Sequence, residues 1–153
     1  MRRPYKLALL AAGIALFLAI SALLARAFSV DTAERSAITA VVQAEARGDT
    51  AGVTDRLTDC GASSSCRARV TADVAALRRP GTVSILQIQT SSGFSLTSTT
   101  GTARVAFTVG SSLPIVQCVR VRRAGNVLSG LRVELLELSR RLAKADADCP
   151  ARF

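Results

Sequence analysis

The feature that most constrains this chain is an uncharged segment near its N-terminus. Leu7 to Ala25 spans nineteen residues without a charge, and nearly all of them are apolar. At 1.5 Å per residue, a helix of this length covers roughly 28 Å, about the hydrocarbon thickness of a bilayer. Arg2, Arg3 and Lys6 precede the segment, so the positive-inside rule predicts a cytoplasmic N-terminus and an extracytoplasmic remainder. We therefore expect residues 1–30 to form a basic start and a single-pass signal-anchor helix in the cell membrane.

A cleaved signal peptide is the competing interpretation of this segment. Ala25-Arg26-Ala27 fits the small-x-small cleavage pattern, and cleavage after Ala27 would release a secreted domain that begins at Phe28. The apolar run is longer than the roughly 7 to 15 residues of a typical signal-peptide core, which favours retention. Both interpretations export the rest of the chain.

The composition excludes several classes of function. The chain contains no histidine, which rules out Ser-His-Asp and Cys-His catalysis as well as His-ligated metals. Its formal net charge is +9, but it has only five Phe, one Tyr and no Trp. Few aromatic side chains for base stacking and an exported location both argue against nucleic acid as a partner. We expect no cofactor.

Three helices are predicted after the anchor. Asp31 and Glu34 form a capping-box-like pattern that predicts a helix start at Asp31. Gly48 ends this helix and Asp49 caps the next. The third helix ends before Pro80. The apolar residues at helical spacing are Ile38, Val41, Val42 and Ala46 in the first helix, Val53 and Leu57 in the second, and Val70, Val74 and Leu77 in the third.

Four strands are predicted after the helices, because β-branched residues and alternation dominate from Thr82 onward. The predicted strands are 82–90, 102–109, 114–123 and 127–138, with a turn at 91–93 and an ambiguous segment at 94–100. Helices followed by a strand meander indicate the α+β class. We expect three helices packed on a curved four-stranded antiparallel sheet in a domain spanning 31–139. A polar tail, 140–153, follows it.

The order of these elements resembles a known fold family. The stretch from Ala37-Ile38 through Gly48-Asp49 to Leu57, followed by a helix and a closing strand meander, resembles the nuclear-transport-factor-2-like, cystatin-like α+β cone. Small membrane-anchored exported proteins of actinobacteria are similar, with a single leading helix. The resemblance covers about Asp31 to Ser139. It implies a pocket between sheet and helices but no single activity, because enzymes, ligand binders and assembly scaffolds all use the cone.

The four cysteines of an exported domain form an even set and predict disulfides. Of the three possible pairings we favour Cys60 with Cys66 and Cys118 with Cys149, the second tying the tail across the outer side of the sheet. A zinc site with four cysteine ligands is the alternative. Zinc modules usually contain close pairs such as C-x2-C, whereas the nearest pair here is C-x5-C. We therefore expect no metal.

Three glutamines on predicted strands are candidate ligand-binding residues. Gln87, Gln89 and Gln117 could line a pocket and orient a ligand through hydrogen bonds. The other interpretation places them on the solvated face of the sheet.

Four arginines on predicted strands could form a basic stripe on the outer face of the sheet. They are Arg104, Arg120, Arg122 and Arg123. Anionic lipid headgroups or envelope polymers are conceivable ligands. The alternative, which we favour, is an ordinary charged surface in which these arginines pair with Glu134 and Glu137 on the adjacent strand.

The pattern of acidic residues gives little support to catalysis. Most carboxylates stand at predicted helix starts or on exposed faces. A cone-fold isomerase or dehydratase needs a buried acid with tyrosine or histidine partners. The exported part contains no tyrosine and no histidine. Catalysis by Asp and Arg side chains alone is possible, so the composition does not exclude an enzyme. We expect a non-catalytic, membrane-anchored binding or scaffold module of the cell envelope with an envelope-protein partner. The alternative is a small-ligand carrier or a cone-fold enzyme.

Overall fold

One uninterrupted helix, α1 (Arg3–Arg47), joins the apolar segment to the folded domain. The computed structural model describes residues 3–91, 98–126, 130–144, 146–150 and 153. The predicted helix start at Asp31 is wrong, because the backbone is already helical there. Residues 25–31 contain neither proline nor glycine, and extending an existing helix costs less than nucleating a new one. Asp31 instead accepts a hydrogen bond from Arg35 Nε at 2.9 Å, one turn further along the helix.

The end of α1 and the start of α2 (Thr50–Arg56) follow the predicted capping. Gly48 adopts a φ of +81°. The Gly48 amide donates to the Glu45 carbonyl at 3.0 Å, and the Asp49 amide donates to the Ala44 carbonyl at 2.9 Å. This is the Schellman arrangement, which satisfies the last carbonyls of a helix. The Asp49 carboxylate then accepts from the Gly52 amide at 2.8 Å, so that the new helix begins directly.

The third helical element, α3 (Ser64–Leu77), follows a short 3-10 turn at Cys60–Ala62. Ser63 caps α3, since its hydroxyl accepts from the Cys66 amide at 3.2 Å. The stripe predicted for this helix is confirmed, because Val70, Val74 and Leu77 are its buried residues.

Four antiparallel strands form an open meander in the order β1-β2-β3-β4. Their bounds are β1 (Val83–Gln89), β2 (Thr99–Val109), β3 (Ile115–Asn126) and β4 (Gly130–Leu138). The predicted α+β class, with an N-terminal apolar helix, further helices and a four-stranded antiparallel sheet, is confirmed. The predicted turn at 91–93, the segment 94–100 and the start of the last predicted strand lie partly outside the described residues.

The helices cover one face of the sheet with an aliphatic core. Ile38, Val41 and Val42 of α1 are fully buried in one cluster with inward residues of β2, β3 and β4. The alternation predicted for β2 is confirmed, with Ala103, Val105, Phe107 and Val109 all buried. Val30 is the first buried residue of α1 among those whose side chains the structure describes, and it lies about five residues after the end of the apolar segment. The division of the chain at 30/31 and 139/140 stays a prediction, and α1 passes through the first of these boundaries without a break.

Candidate functional site

The N-terminal half of α1 exposes a continuous apolar surface. Its most apolar 18-residue window has a mean hydropathy of 2.7, and none of that window is buried against the domain. Leu7, Phe17 and Leu18 each expose more than half of their surface. Within the part of the chain that the structure describes, this is the one helix long and apolar enough to cross a membrane. A signal sequence has the same length and composition.

The structure brings the four cysteines together in the predicted pairs. Cys60 lies at disulfide distance from Cys66, and Cys118 lies at disulfide distance from Cys149. The second pair holds the chain after β4 against the outer side of β3. The Leu142 amide extends this contact by donating to the Val116 carbonyl at 2.8 Å. No cluster of three or more potential metal ligands occurs among the described residues.

The three candidate glutamines do not share a pocket. Gln87 and Gln89 are exposed on β1, whereas Gln117 is fully buried on β3. A β-bulge in β1 explains the difference, because the register shifts between Ile85 and Gln87. Strict alternation from Ile85 would point both β1 glutamines inward, but the extra residue reverses the faces and turns Ile88 toward the core. A ligand site of three glutamines is therefore not formed.

Gln117 instead contacts a buried carboxyl group on α1. Its side-chain amide donates to Glu45 Oε1 at 3.1 Å and to the Ser139 carbonyl at 3.1 Å. Glu45 is fully buried. Burial raises the pKa of Glu45 to about 7, the hydrogen bond from Gln117 opposes this shift, and the negative charge of Asp73 adds to it. Within the described structure, Glu45 Oε2 and Gln117 Oε1 lack hydrogen-bond partners.

A narrow cavity lies beside Glu45, between α3 and β4. Its volume is about 10 Å³, and Arg69, Asp73 and Glu137 are among its lining residues. This volume admits about one water molecule. The arrangement can hold a proton on Glu45 or a water beside it, but it is too small for an organic substrate.

A second buried polar cluster fixes the beginning of the domain. Arg123 donates to Glu34 Oε2 through Nη2 at 2.7 Å and through Nε at 2.9 Å. The Ser91 amide donates to Glu34 Oε1 at 2.7 Å, and the Ser91 hydroxyl lies 3.0 Å from the same oxygen. Glu34 is fully buried. Gly101 makes room for Ser91, since a Cβ at Gly101 would stand 2.5 Å from that of Ser91.

The sequence contained a signal for both buried carboxylates. Glu34 and Glu45 share the helical face of Ile38 and Val41, at spacings of four, three and four residues. Arg123 has the same strand parity as the inward residues of β3. In the sequence analysis, Glu34 is instead predicted to form part of a capping box and Arg123 to lie on the outer face of the sheet. Local pattern reasoning favours capping for an acidic residue, whereas the partners of Glu34 are distant in the sequence, one after β1 and one on β3.

The prediction that Arg123 belongs to a basic stripe on the outer face is therefore wrong, because its side chain points inward and is only 16% exposed. Arg120 and Arg122 do lie on the outer face. They pair with Glu137 at 3.1 Å and with Glu134 at 2.7 Å, as the charged-surface interpretation predicted.

The fourth arginine of the predicted stripe, Arg104, is half-buried on β2 directly across from Cys118. Arg120 also stacks on the Phe153 ring at 5.2 Å from its centroid. The hydrogen bond from Arg122 is the main cause that lowers the pKa of Glu134. The outer face is thus an ion-paired surface partly covered by the tail.

No protein-family model matches this chain, and no curated protein or solved structure is significantly similar to it.

Proposed function

We propose that this chain is a non-catalytic scaffold or binding module held at the outer surface of a cell membrane by the N-terminal half of α1. The observation that carries the proposal is the continuity of α1. Its exposed apolar half suits a bilayer, and its other half forms one layer of the domain core. A domain built on the anchor helix itself is held at a fixed height, which suits a platform for other proteins.

One further observation supports an extracytoplasmic address, and another supports retention of the anchor. Both cysteine pairs lie at disulfide distance, and disulfides persist in oxidising compartments. The helix also continues unbroken through Ala25–Ala27, the predicted cleavage site. We accordingly propose a retained anchor rather than a removed signal peptide. The nuclear-transport-factor-2-like cone stays part of this proposal, supported by the order of helices and strands.

The narrow cavity at Glu45 supports a scaffold over a carrier or an enzyme. In a cone fold, a ligand would occupy the space between sheet and helices. Among the described residues, aliphatic side chains occupy that space, and the cavity beside Glu45 measures about 10 Å³. The raised pKa of Glu45 favours catalysis, because a carboxyl group poised near neutral pH suits proton transfer.

The test is protease accessibility in spheroplasts that contain the full chain. We expect trypsin added outside to digest the domain while a cytoplasmic marker stays intact. Intact mass of the membrane fraction should show an N-terminus upstream of Phe28. Protection of the domain until lysis would place it in the cytoplasm and refute the proposal. A soluble product starting at Phe28 would replace the anchor with a secreted domain.

A further inference from the structure

The described surface contains two adjoining concavities between α3 and the chain that follows β4. One has a volume of about 400 Å³, and the other a volume of about 430 Å³. Arg140 and Arg141 line both, so the two concavities adjoin, and together we call them the arginine groove. Its wall on the tail side is fixed, because the Cys118–Cys149 disulfide and the backbone bond from Leu142 to Val116 hold that segment against β3.

The groove combines an apolar floor with an excess of positive charge. Ala72, Ala76 and Leu77 line one end, and Leu138, Leu142 and Phe153 line the other. Four arginines surround this floor, namely Arg69, Arg79, Arg140 and Arg141, whereas Asp73 is the one acidic residue of the two linings.

Much of this positive charge is uncompensated. Arg140 lies 3.5 Å from Asp73 with 77% of its side chain exposed, and Arg69 lies 3.8 Å from Glu137. Both contacts are too long for strong charge-assisted hydrogen bonds. Among the described residues, Arg79 and Arg141 form no ion pair and are exposed. An anionic ligand would thus gain charge pairs without displacing existing strong ones.

The position of the groove argues against lipid headgroups as that ligand. The Arg79 amide donates to the Ala46 carbonyl, which places this end of the groove beside the last turn of α1. From Ala25 to Ala46, α1 rises by roughly 30 Å. This is several Debye lengths at physiological ionic strength, so an anionic membrane surface exerts little force there. The apolar floor equally disfavours a purely polyanionic polymer.

We propose that the arginine groove docks an acidic segment of a partner protein, one that presents carboxylates to the arginines and small apolar side chains to the alanine floor. This inference deepens the scaffold function proposed above and rests on it, since it assigns the surface through which the scaffold binds. Arg79 and Arg141 supply the charges, and Ala72 and Ala76 allow the segment to approach closely.

The test uses the full chain, with its disulfides intact, in nanodiscs of zwitterionic lipid. The probe is a fluorescent 18-residue peptide of glutamate and alanine, with empty nanodiscs as background. We expect salt-sensitive binding in the anisotropy signal. Arg79→Glu with Arg141→Glu should raise Kd by at least about tenfold. The control, Arg56→Glu with Arg67→Glu, changes the net charge equally outside the groove and should leave Kd within about threefold.

Several results would overturn the proposal. Equal weakening by both double variants would reduce the binding to overall charge. Equal binding of a lysine–alanine peptide would remove the role of the arginines, and equal binding of pure polyglutamate would point to a polyanionic polymer instead. Loss of peptide binding in anionic-lipid nanodiscs would show that headgroups reach the groove. Because binding is measured without reference to the cell, a cytoplasmic address would refute the scaffold proposal while leaving this result intact.

Folding of the variants is checked by their thermal unfolding midpoints. Arg79→Gln with Arg141→Gln provides a milder second variant. It should weaken peptide binding less than the charge reversal and more than the control. An unchanged Kd in this variant would contradict the assignment.

Discussion

Glu34 and Arg123 are separated by 89 positions in the chain, and their side chains meet at 2.7 Å where α1 enters the domain. The carboxylate is fully buried and also accepts from the backbone amide of Ser91. This ion pair therefore joins α1, the end of β1 and the end of β3 at one point. A charge placed there must keep its partner, because an unpaired buried charge is costly.

Removing Arg123 should destabilise the domain strongly. We expect Arg123→Ala to lower the free energy of unfolding by about 3–5 kcal/mol, since Glu34 would be left buried and unpaired. Urea unfolding of the full chain in detergent micelles measures this. Arg122→Ala is the matched control, and its effect should be far smaller because its side chain is 41% exposed. Similar losses in the two variants would contradict the structural role of the pair.

Replacing both partners should be milder than removing one. Glu34→Gln combined with Arg123→Met leaves no buried charge, so part of the stability lost in Arg123→Ala should return. A double variant less stable than Arg123→Ala would show that packing, rather than the unpaired charge, sets the cost.

Stability should fall as pH rises toward neutrality because of Glu45. The pKa of Glu45 is about 7 in the folded chain, compared with 4.5 as its ordinary value. The folded state therefore binds more protons between these values, and the stability associated with neutral Glu45 is present below pH 4.5 and lost as pH rises through 7. The difference corresponds to roughly 3 kcal/mol.

The variant Glu45→Gln tests this pH dependence, since glutamine resembles the protonated acid. We expect its unfolding midpoint in urea to vary less than that of the wild type between pH 4.5 and 8. Some slope should remain, because burial also raises the pKa of Asp73. Parallel pH profiles of wild type and variant would refute a proton on Glu45.

Gly101 and Ser91 should show compensating effects. A Cβ at Gly101 would stand 2.5 Å from the Ser91 Cβ, so Gly101→Ala should displace Ser91 from Glu34 and cost about 1–3 kcal/mol. Combining it with Ser91→Gly should recover stability relative to Gly101→Ala alone. A double-mutant cycle in urea measures the coupling. Strict additivity of the two changes would argue that the residues do not meet.

The Cys118–Cys149 bond should protect the tail. We expect Cys149→Ser to lose on the order of 2–4 kcal/mol of stability and to release the tail from β3, so that trypsin cleaves faster after Arg140, Arg141 and Lys144. Peptide mass mapping without reduction should recover the two predicted linkages in the wild type. A protease pattern unchanged by Cys149→Ser, or free thiols in the native protein, would contradict the pairing.

Much of the fold could be predicted because its signals are local. The Gly48-Asp49 junction, the α3 stripe and the alternation of β2 each follow from a few neighbouring residues. The cysteine pairs also agree with the prediction.

The errors arose where the deciding contact is distant in sequence. Asp31 and Glu34 match a capping box locally, but the partners of Glu34 are Ser91, which follows β1, and Arg123 on β3, both far away in the sequence. The bulge in β1 reversed Gln87 and Gln89, and one extra residue in a strand leaves no clear mark in the sequence. Arg123 could have been placed inward from its parity with Val121. The general tendency of arginine to lie on the surface favours the outer face instead, and it conflicts with the strand parity of Arg123.

The continuity of α1 has a rotational consequence. Each residue added to a helix turns everything beyond it by about 100° and advances it by about 1.5 Å. No loop separates the apolar half of α1 from the domain. The rotation of the apolar half about the helix axis therefore fixes the direction in which the arginine groove faces. One residue inserted near Ser29 would keep both halves intact and yet swing the groove by more than a quarter turn. Two partners that bind the apolar half of α1 and the arginine groove at the same time must therefore have one fixed rotation about the α1 axis relative to each other.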